Sequence, residues 1–480
     1  VALALVGCGG SGPGASHPAS ALLTAHPATA ATSSPTTTAT SSLTTAATSG
    51  PTTAATSGPT TAATSGPTTA ATSGPATGTE AAATSRLTDT SALHHLAVVL
   101  GREATVLDTG TGAAVGIDVE DLRTGQILYA RDRDATHPPA SLEKLYTSAA
   151  LLWRLGPDAR LHTQLLGTGY LFAGVWHGNL YLRGDGDPTF GDGGWNRVYE
   201  DGYGPTAGEL ISDLRRAGIT RVTGRLYADA SRFDSAEGGP LTHDHPDPGD
   251  YGGEMSALVY DHGLSTGKLG PAASAVHEVA LTARASGLFV LAAPRPRTTP
   301  VHATVLATLG SPPLSTLLGL MLRPSDDLFA DLFAKQLGYH FTGSGTLGRG
   351  AGVIGQTIAA HYGLEPTIHD GSGLDRADRS SPAQVVSLLA QMHGTPVGGV
   401  VAAALPVVAR SGTVEGIGVK TPAAGRCEAK TGTLNDVTNL AGYCRTRSGD
   451  TLAFAFMVDG PPNADAEYAF TPMIGAVAGY

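Results

Sequence analysis

The chain has 480 residues, 41% of them hydrophobic, and a formal net charge of −11 at pH 7. That length allows two or three domains with a large core, and the acidic balance excludes a nucleic-acid partner held by charge. Three cysteines are too few for a disulfide scaffold, no Cys/His cluster carries zinc spacing, and past the N-terminus no run of about eighteen apolar residues is available to span a membrane.

The chain opens on Val1-Ala-Leu-Ala-Leu-Val-Gly-Cys8, which reads as the tail of a signal peptide. Within residues 1–8, Leu5-Val-Gly-Cys8 resembles a bacterial lipoprotein box, implying cleavage before Cys8 and a lipid on its thiol. An ordinary secretory signal that contains a cysteine is the alternative, and both readings export the chain. Residues 9–86 are almost entirely Ala, Thr, Ser, Gly and Pro, and the octamer Thr-Thr-Ala-Ala-Thr-Ser-Gly-Pro repeats four times over 44–75. A repeat without an apolar face cannot bury a core, so this stretch is expected to be a disordered tether.

Order is expected from about Leu87. Residues 115–122 and 126–130 flank Arg123-Thr-Gly125 and predict a β-hairpin. A helix follows to about Leu155, with Leu142, Leu145, Ala149, Leu152 and Leu155 on its apolar face. Strands are expected over 179–183 and 221–227, with a helix at 206–217 between them. Asp185 and Asp187 lack a ligating Glu at EF-hand spacing and read as turn residues. A helix near 272–286, a strand at 288–292 and a helix at 313–322 come next. Another helix, marked by Leu328, Leu332, Ala334 and Leu337, is expected to close at Gly338. The C-terminal part reads as strands at 424–433, 438–446 and 451–458, then a helix. Strands first, helices in the middle and strands with a helix last predict one α/β domain split by an insertion.

The stretch His137-Pro-Pro-Ala-Ser141-Leu-Glu-Lys144 carries the first candidate chemistry. Two prolines favour an extended approach, which puts Ser141 in the first helical turn. Residues three apart share a helix face, so the Lys144 amine reaches the Ser141 hydroxyl. A serine is a poor nucleophile until a neighbouring base takes its proton, and a lysine serves when burial or nearby positive charge favours its neutral form. A capping serine beside a solvated lysine is the alternative for this stretch alone.

Three stretches then fall in order: Ser141-Leu-Glu-Lys144, Ser325-Asp-Asp327 and Lys430-Thr-Gly432. The set resembles that of penicillin-binding proteins and serine β-lactamases. Within that superfamily the chain resembles the low-molecular-mass class C penicillin-binding proteins, D-alanyl-D-alanine carboxypeptidases/endopeptidases of the S13 type. Further stretches carry the likeness, among them Gly178-Asn-Leu-Tyr-Leu-Arg-Gly-Asp-Gly-Asp-Pro188, Gly253-Glu-Met-Ser-Ala-Leu258, Asp370-Gly-Ser-Gly-Leu374 and Ala429-Lys-Thr-Gly-Thr-Leu434. The resemblance implies an α+β transpeptidase-like domain, an antiparallel sheet with helices, over 87–166 and 301–480. A smaller inserted domain over 167–300 would split it, and the further domain that many relatives insert looks largely absent.

The same resemblance implies the roles. Ser141 becomes the acyl-enzyme, Lys144 takes its proton, and Ser325 relays a proton to the leaving amine. Asp327 stands where the family has Asn; ionised, it would pair with Lys144 and make it a poorer base. Protonation of Asp327, or sharing it with Lys430, is the alternative. Lys430, Thr431, Gly432 and Thr433 would receive the substrate carboxylate, and the Ser141 and Thr433 N–H groups would form the oxyanion hole. The expected substrates are peptidoglycan stem peptides, with β-lactams as inhibitors, no cofactor, no metal, and membrane contact through the lipid alone. The expected location is the outer face of the bacterial cytoplasmic membrane and the wall. Two rivals share the fold: a β-lactamase, for which no Glu-x-x-x-Asn stretch is present, and an inactive wall-binding protein, for which Asp327 speaks. Finally, a symmetric hairpin turning at Asn435-Asp436 sets Cys427 opposite Cys444, close enough for a disulfide on the face away from Lys430; two reduced buried cysteines are the alternative, since a bulge or longer turn would shift the register.

Overall fold

The computed structural model describes residues 79–239, 252–264, 268–293, 295–460 and 463–480. The expectations for Cys8 and for the octamer repeats lie outside the described residues. The N-terminal part contains α1 (Thr79–Thr111), β1 (Ala114–Asp121), β2 (Gln126–Arg131) and α2 (Glu143–Leu155). Next come β3 (His162–Phe172), β4 (Val175–Arg183), α3 (Gly193–Tyr199), α4 (Ala207–Arg216), β5 (Arg221–Asp229), α5 (Pro271–Ala285), β6 (Phe289–Ala292) and β7 (Thr304–Gly310). A helical run holds α6 (Leu314–Leu322), α7 (Asp327–Thr342), α8 (Leu347–Tyr362), α9 (Pro382–Met392) and α10 (Pro396–Ala404). Strands β8 (Cys427–Leu434), β9 (Val437–Arg445) and β10 (Thr451–Asp459) precede α11 (Asn463–Gly479).

The first and last strands share one antiparallel sheet in the order β2-β1-β10-β9-β8. Nearly every residue of β9 and β10 is buried, as expected of central strands covered on both faces. On one face Phe454, Phe456 and Leu440 pack with Leu96, Leu100 and Leu107 of α1 and with Phe470 and Ile474 of α11. On the other, Ala441, Ala453 and Met457 pack with Leu145 of α2, Leu332 of α7 and Leu389 of α9. Helix α1 starts at Thr79, ahead of the order expected from Leu87. The Leu96, Leu100, Ala104, Leu107 stripe, all buried, is its sequence signal.

The second sheet is mixed, in the order β6-β5-β4-β3-β7, with β4–β5 and β5–β6 parallel. Both of the insert's end strands, β3 and β7, belong to it and pair with each other from His162↔Gly310 onward. The insert therefore exceeds the expected 167–300: strand pairing, not the composition change, sets its ends. Leu210, Ile211 and Leu214 of α4 and Val276 and Val279 of α5 cover it against Leu180, Leu182 and Leu226.

Gly338 does not close a helix. Helix α7 continues to Thr342 and ends on Gly343, whose φ of 76° is left-handed. Gly338 lies where α7 meets the start of α8: an added Cβ would stand 2.7 Å from the Ser344 carbonyl oxygen and 3.0 Å from Gly350 N. A glycine serves close helix approach as well as termination, and the sequence shows only the glycine.

Candidate active site

Ser141 lies in a single 3-10 turn, Ala140–Leu142, that leads directly into α2. The approach is rigid. Asn439 of β9 donates from Nδ2 to the carbonyls of Pro138 and Pro139, both at 2.9 Å, and its Oδ1 accepts from Val458 N at 3.1 Å. Ala140 is left-handed, φ 47°, and only glycine fits beside it. A Cβ at Gly373 would stand 1.9 Å from the Ala140 oxygen, and one at Gly432 2.6 Å from the Pro139 oxygen.

One turn on, Lys144 is fully buried and its Nζ donates to three acceptors. These are Ser141 Oγ at 2.9 Å, Asp327 Oδ1 at 2.5 Å and the Ser372 carbonyl at 2.8 Å. All three protons of an ammonium are thereby used. Asp327 opens α7, and burial raises its pKa while Lys144 lowers it; burial prevails. Ser325, two residues earlier, is left-handed at φ 67° and its Oγ accepts from Lys430 Nζ at 2.6 Å. Lys430 is also fully buried and donates to the Thr431 carbonyl at 2.7 Å. Burial, and then the neighbouring Lys144, push its pKa well below the ordinary lysine value.

The arrangement thus joins two serine–lysine pairs through the Ser325-Asp-Asp327 segment. A hydroxyl beside an amine can be activated for attack on a carbonyl, and the second hydroxyl–amine pair can pass a proton and receive an anion. Thr431 and Thr433, on the opposite face of β8 from Lys430 and Gly432, line a cavity of about 730 Å³ with Thr413, Glu467 and Tyr468. The Thr431 hydroxyl donates to Thr413 Oγ1 at 2.8 Å.

Cys427 and Cys444 pair across β8 and β9, with sulfurs 2.08 Å and Cα atoms 4.1 Å apart. Both side chains sit in the core on the α1 and α11 side, away from Lys430. Asp185 forms an ion pair with Arg232 and accepts from Gln336 Nε2 at 3.0 Å. Asp187 accepts from the backbone and hydroxyl of Thr189 at 2.9 and 2.7 Å, closing a turn.

Sequence reasoning missed the support beneath Lys144. The loop that offers the Ser372 carbonyl is laced by Asp370, which accepts from Ser372 N, Gly373 N and Asp375 N at 3.0, 2.6 and 2.8 Å. Asp331 of α7 accepts from Gly371 N at 2.8 Å, and Thr147 of α2 donates to Gly371 O at 2.8 Å. Glu143, Asp331, Asp370 and Asp378 are all fully buried. Burial raises all four carboxyl pKa values, Glu143 and Asp331 strongly, with mutual repulsion adding to it in Glu143, Asp331 and Asp378. The only sequence signal was the stretch Asp370-Gly-Ser-Gly-Leu374 itself.

Comparison with known proteins bears on the chain as a whole. The chain is 28% identical over 438 residues to the D-alanyl-D-alanine carboxypeptidase of Actinomadura sp. (strain R39), covering 73% of this chain and 78% of that one. It is 22% identical over 430 residues to D-alanyl-D-alanine carboxypeptidase DacB of Haemophilus influenzae, covering 74% and 87%. The crystal structure of penicillin binding protein 4 from Haemophilus influenzae superposes with a TM-score of 0.66 at 19% identity, over 78% of this chain and 99% of that one. That establishes the shared α+β fold. The profile of the D-Ala-D-Ala carboxypeptidase 3 (S13) family matches residues 103–286 and 269–478, and the chain belongs to that family.

Proposed function

We propose that this S13 serine carboxypeptidase cleaves D-alanyl-D-alanine ends and cross-links of peptidoglycan stem peptides through an acyl-enzyme on Ser141. Lys144 first gives up a proton to solvent, then takes the hydroxyl proton as Ser141 Oγ attacks the carbonyl between the two D-residues, and hands that proton on to Ser325. Ser325 passes a proton to the leaving amine, and the C–N bond breaks. Water then hydrolyses the ester and restores Ser141. Lys430 supplies charge for the terminal carboxylate, which restores the charge that burial disfavours on it, and because β8 is the edge strand of its sheet the Thr431 and Thr433 hydroxyls on its other face reach the same carboxylate past Gly432. The Ser141 and Thr433 N–H groups hold the oxyanion, each donor worth about 3–4 kcal/mol in such sites. A β-lactam carbonyl enters the same steps and leaves a lasting ester.

The observation that carries this reading is the 2.9 Å contact of Ser141 Oγ with buried Lys144 beside the 2.6 Å contact of Ser325 Oγ with Lys430. The test is a labelled-penicillin gel with mass mapping. Ser141→Ala is expected to abolish labelling and D-alanine release while the fold keeps its stability to within about 1 kcal/mol, the value of one hydroxyl hydrogen bond. A label persisting on another serine would overturn the assignment.

The chain acts at the cell wall. The finer reading adds a lipid on Cys8 and a tether over residues 9–78, ending where α1 begins, supported by the lipobox-like Leu5-Val-Gly-Cys8 and the core-less composition of the repeats. Metabolic labelling with a radioactive fatty acid tests it: a label absent from the full-length chain, or kept by Cys8→Ser, removes the anchor.

A further inference from the structure

His262 belongs to the inserted unit. It sits in a 3-10 turn, Asp261–Gly263, with left-handed backbone at φ 61°, beside Asp261 at φ 47°. Non-glycine residues keep such conformations only where their surroundings hold them. Here a Cβ at Gly253 would fall 1.7 Å from the His262 carbonyl oxygen, and Glu254 N donates to Gly263 O at 3.0 Å. The turn delivers the imidazole, which is largely buried, to the start of α7. Its ring centroid lies 5.8 Å from that of Phe329 and 6.5 Å from that of Trp195.

Both ring nitrogens are engaged. Nε2 lies 2.7 Å from Asp326 Oδ2 and Nδ1 lies 3.2 Å from the Gly252 carbonyl oxygen. A carbonyl oxygen only accepts, and so does a carboxylate, so both nitrogens donate and the ring is an imidazolium. Asp326 is the residue between Ser325 and Asp327. Its Oδ1 caps α7 by accepting from Phe329 N at 2.9 Å, and its own N–H donates to Met321 O at 2.8 Å. Ser325 beside it holds a left-handed conformation that a non-glycine residue keeps only where its neighbours fix it.

We propose that His262 is a positioning residue for acylation: as an imidazolium contributed by the insert, it clamps Asp326 and so keeps Ser325 in register with Lys430 and Asp327 in register with Lys144. The inference rests on the roles proposed for Ser325 and Lys144. Among the described residues, the titratable groups facing the ring are Asp326 at the start of α7 and Glu200 at the end of α3. Burial opposes the charge on His262, but Asp326 and Glu200 outweigh it and push its pKa up to about 9. Glu200 is itself pushed up to about 8 by burial, against the lowering by His262. The clamp is therefore closed through neutral pH and opens as pH rises through about 9.

The test uses the full chain in two readouts. The first is a histidine NMR titration, with the His262 signal identified by its loss in His262→Gln. It should show an imidazolium persisting to about pH 9 in the wild type and only to lower pH in Asp326→Asn. The second is the rate of acylation by labelled penicillin. His262→Ala and Asp326→Asn should each lose about tenfold, and the double variant should be no slower than either, since coupled residues are not additive. The wild-type rate should fall through pH 9, and the variants should lack that fall. His262→Gln, whose amide can still donate to Asp326, should recover part of the rate without the pH dependence, and it serves if His262→Ala does not fold. Titration of His262 in the ordinary histidine range, additive losses, or unchanged rates and pH profile would overturn the clamp. A wild type that takes no label at Ser141 would condemn the proposed nucleophile instead, and the NMR titration would still decide the clamp.

Discussion

At Lys144 a single residue type decides how the site idles. Its three protons are donated to Ser141, Asp327 and Ser372, and one of those acceptors is a carboxylate where the family has an amide. An ionised carboxylate holds the ammonium by charge as well as by hydrogen bonding, so on the proposed mechanism this lysine must break an ion pair before it can accept the Ser141 proton. Asp327→Asn keeps the size and removes the charge. Penicillin acylation at neutral pH is expected to rise several-fold, about 1 kcal/mol of barrier, and to persist to lower pH. Equal or slower acylation of the variant at every pH would show that the carboxylate is adapted to this site. Ser141, Lys144, Ser325, Asp327 and Lys430, which the structure brings together, could be named from the sequence because each side chain's chemistry is written in its letter. The Ser372 carbonyl was not: a backbone acceptor has no residue signature, and only the carboxylates that shape its loop leave a trace.

Between residue and fold, the β8–β9 hairpin shows what a short turn can specify. Two residues, Asn435 and Asp436, separate the strands, which fixes the register Lys430↔Ala441 and Cys427↔Cys444. Pattern and turn chemistry agree here, so the pairing could be read ahead of the structure. The end of α7 could not, because Gly338 looks like a stop signal while the true one, Gly343, lies past another full turn, Tyr339-His-Phe-Thr342. Removing the disulfide by Cys427→Ala with Cys444→Ala is expected to cost about 2–4 kcal/mol through the freed unfolded chain and the lost packing. Chemical denaturation measures the loss, and the Ser141 labelling rate in native buffer should stay near wild type because the sulfurs lie on the core face. A labelling rate that collapses while the fold survives would mean that the bridge shapes the cleft directly. Gly350→Leu probes the neighbouring helix contact. Even a Cβ there would stand 2.0 Å from the Ala334 carbonyl oxygen, so α7 and α8 must part, and a midpoint lowered by many degrees is expected in a thermal melt. An unchanged midpoint would show that the two helices tolerate separation.

Across the whole molecule, charge burial under the catalytic floor sets the response to pH. Glu143, Asp331 and Asp378 keep their protons in the fold well above the ordinary carboxylate range, burial raises Asp370 in the same direction, and among the described residues both oxygens of Glu143 lack a hydrogen-bond partner. Above about pH 4 the native state therefore binds more protons than the unfolded one, so stability falls as pH rises. The thermal midpoint should be higher at pH 5 than at pH 8, and Glu143→Gln, a permanently neutral mimic, should flatten the slope. A midpoint that climbs between those two values would contradict the proton holding. The division into a split domain and an insert was legible from the order of strands and helices, but its ends at β3 and β7 were not, since pairing between distant strands leaves no local mark. The same distance governs assembly. Strand β1 lies between β2 and β10, and Ala114 faces Asp459, so the sheet that carries Lys430 has no middle until almost the whole chain has been made. Chains emerge N-terminus first, so Ser141 leaves the ribosome long before the strands that complete its surroundings. On the proposed mechanism Ser141 stays unarmed until β8 has emerged, and a chain cut short before it is not a weakened enzyme but none at all.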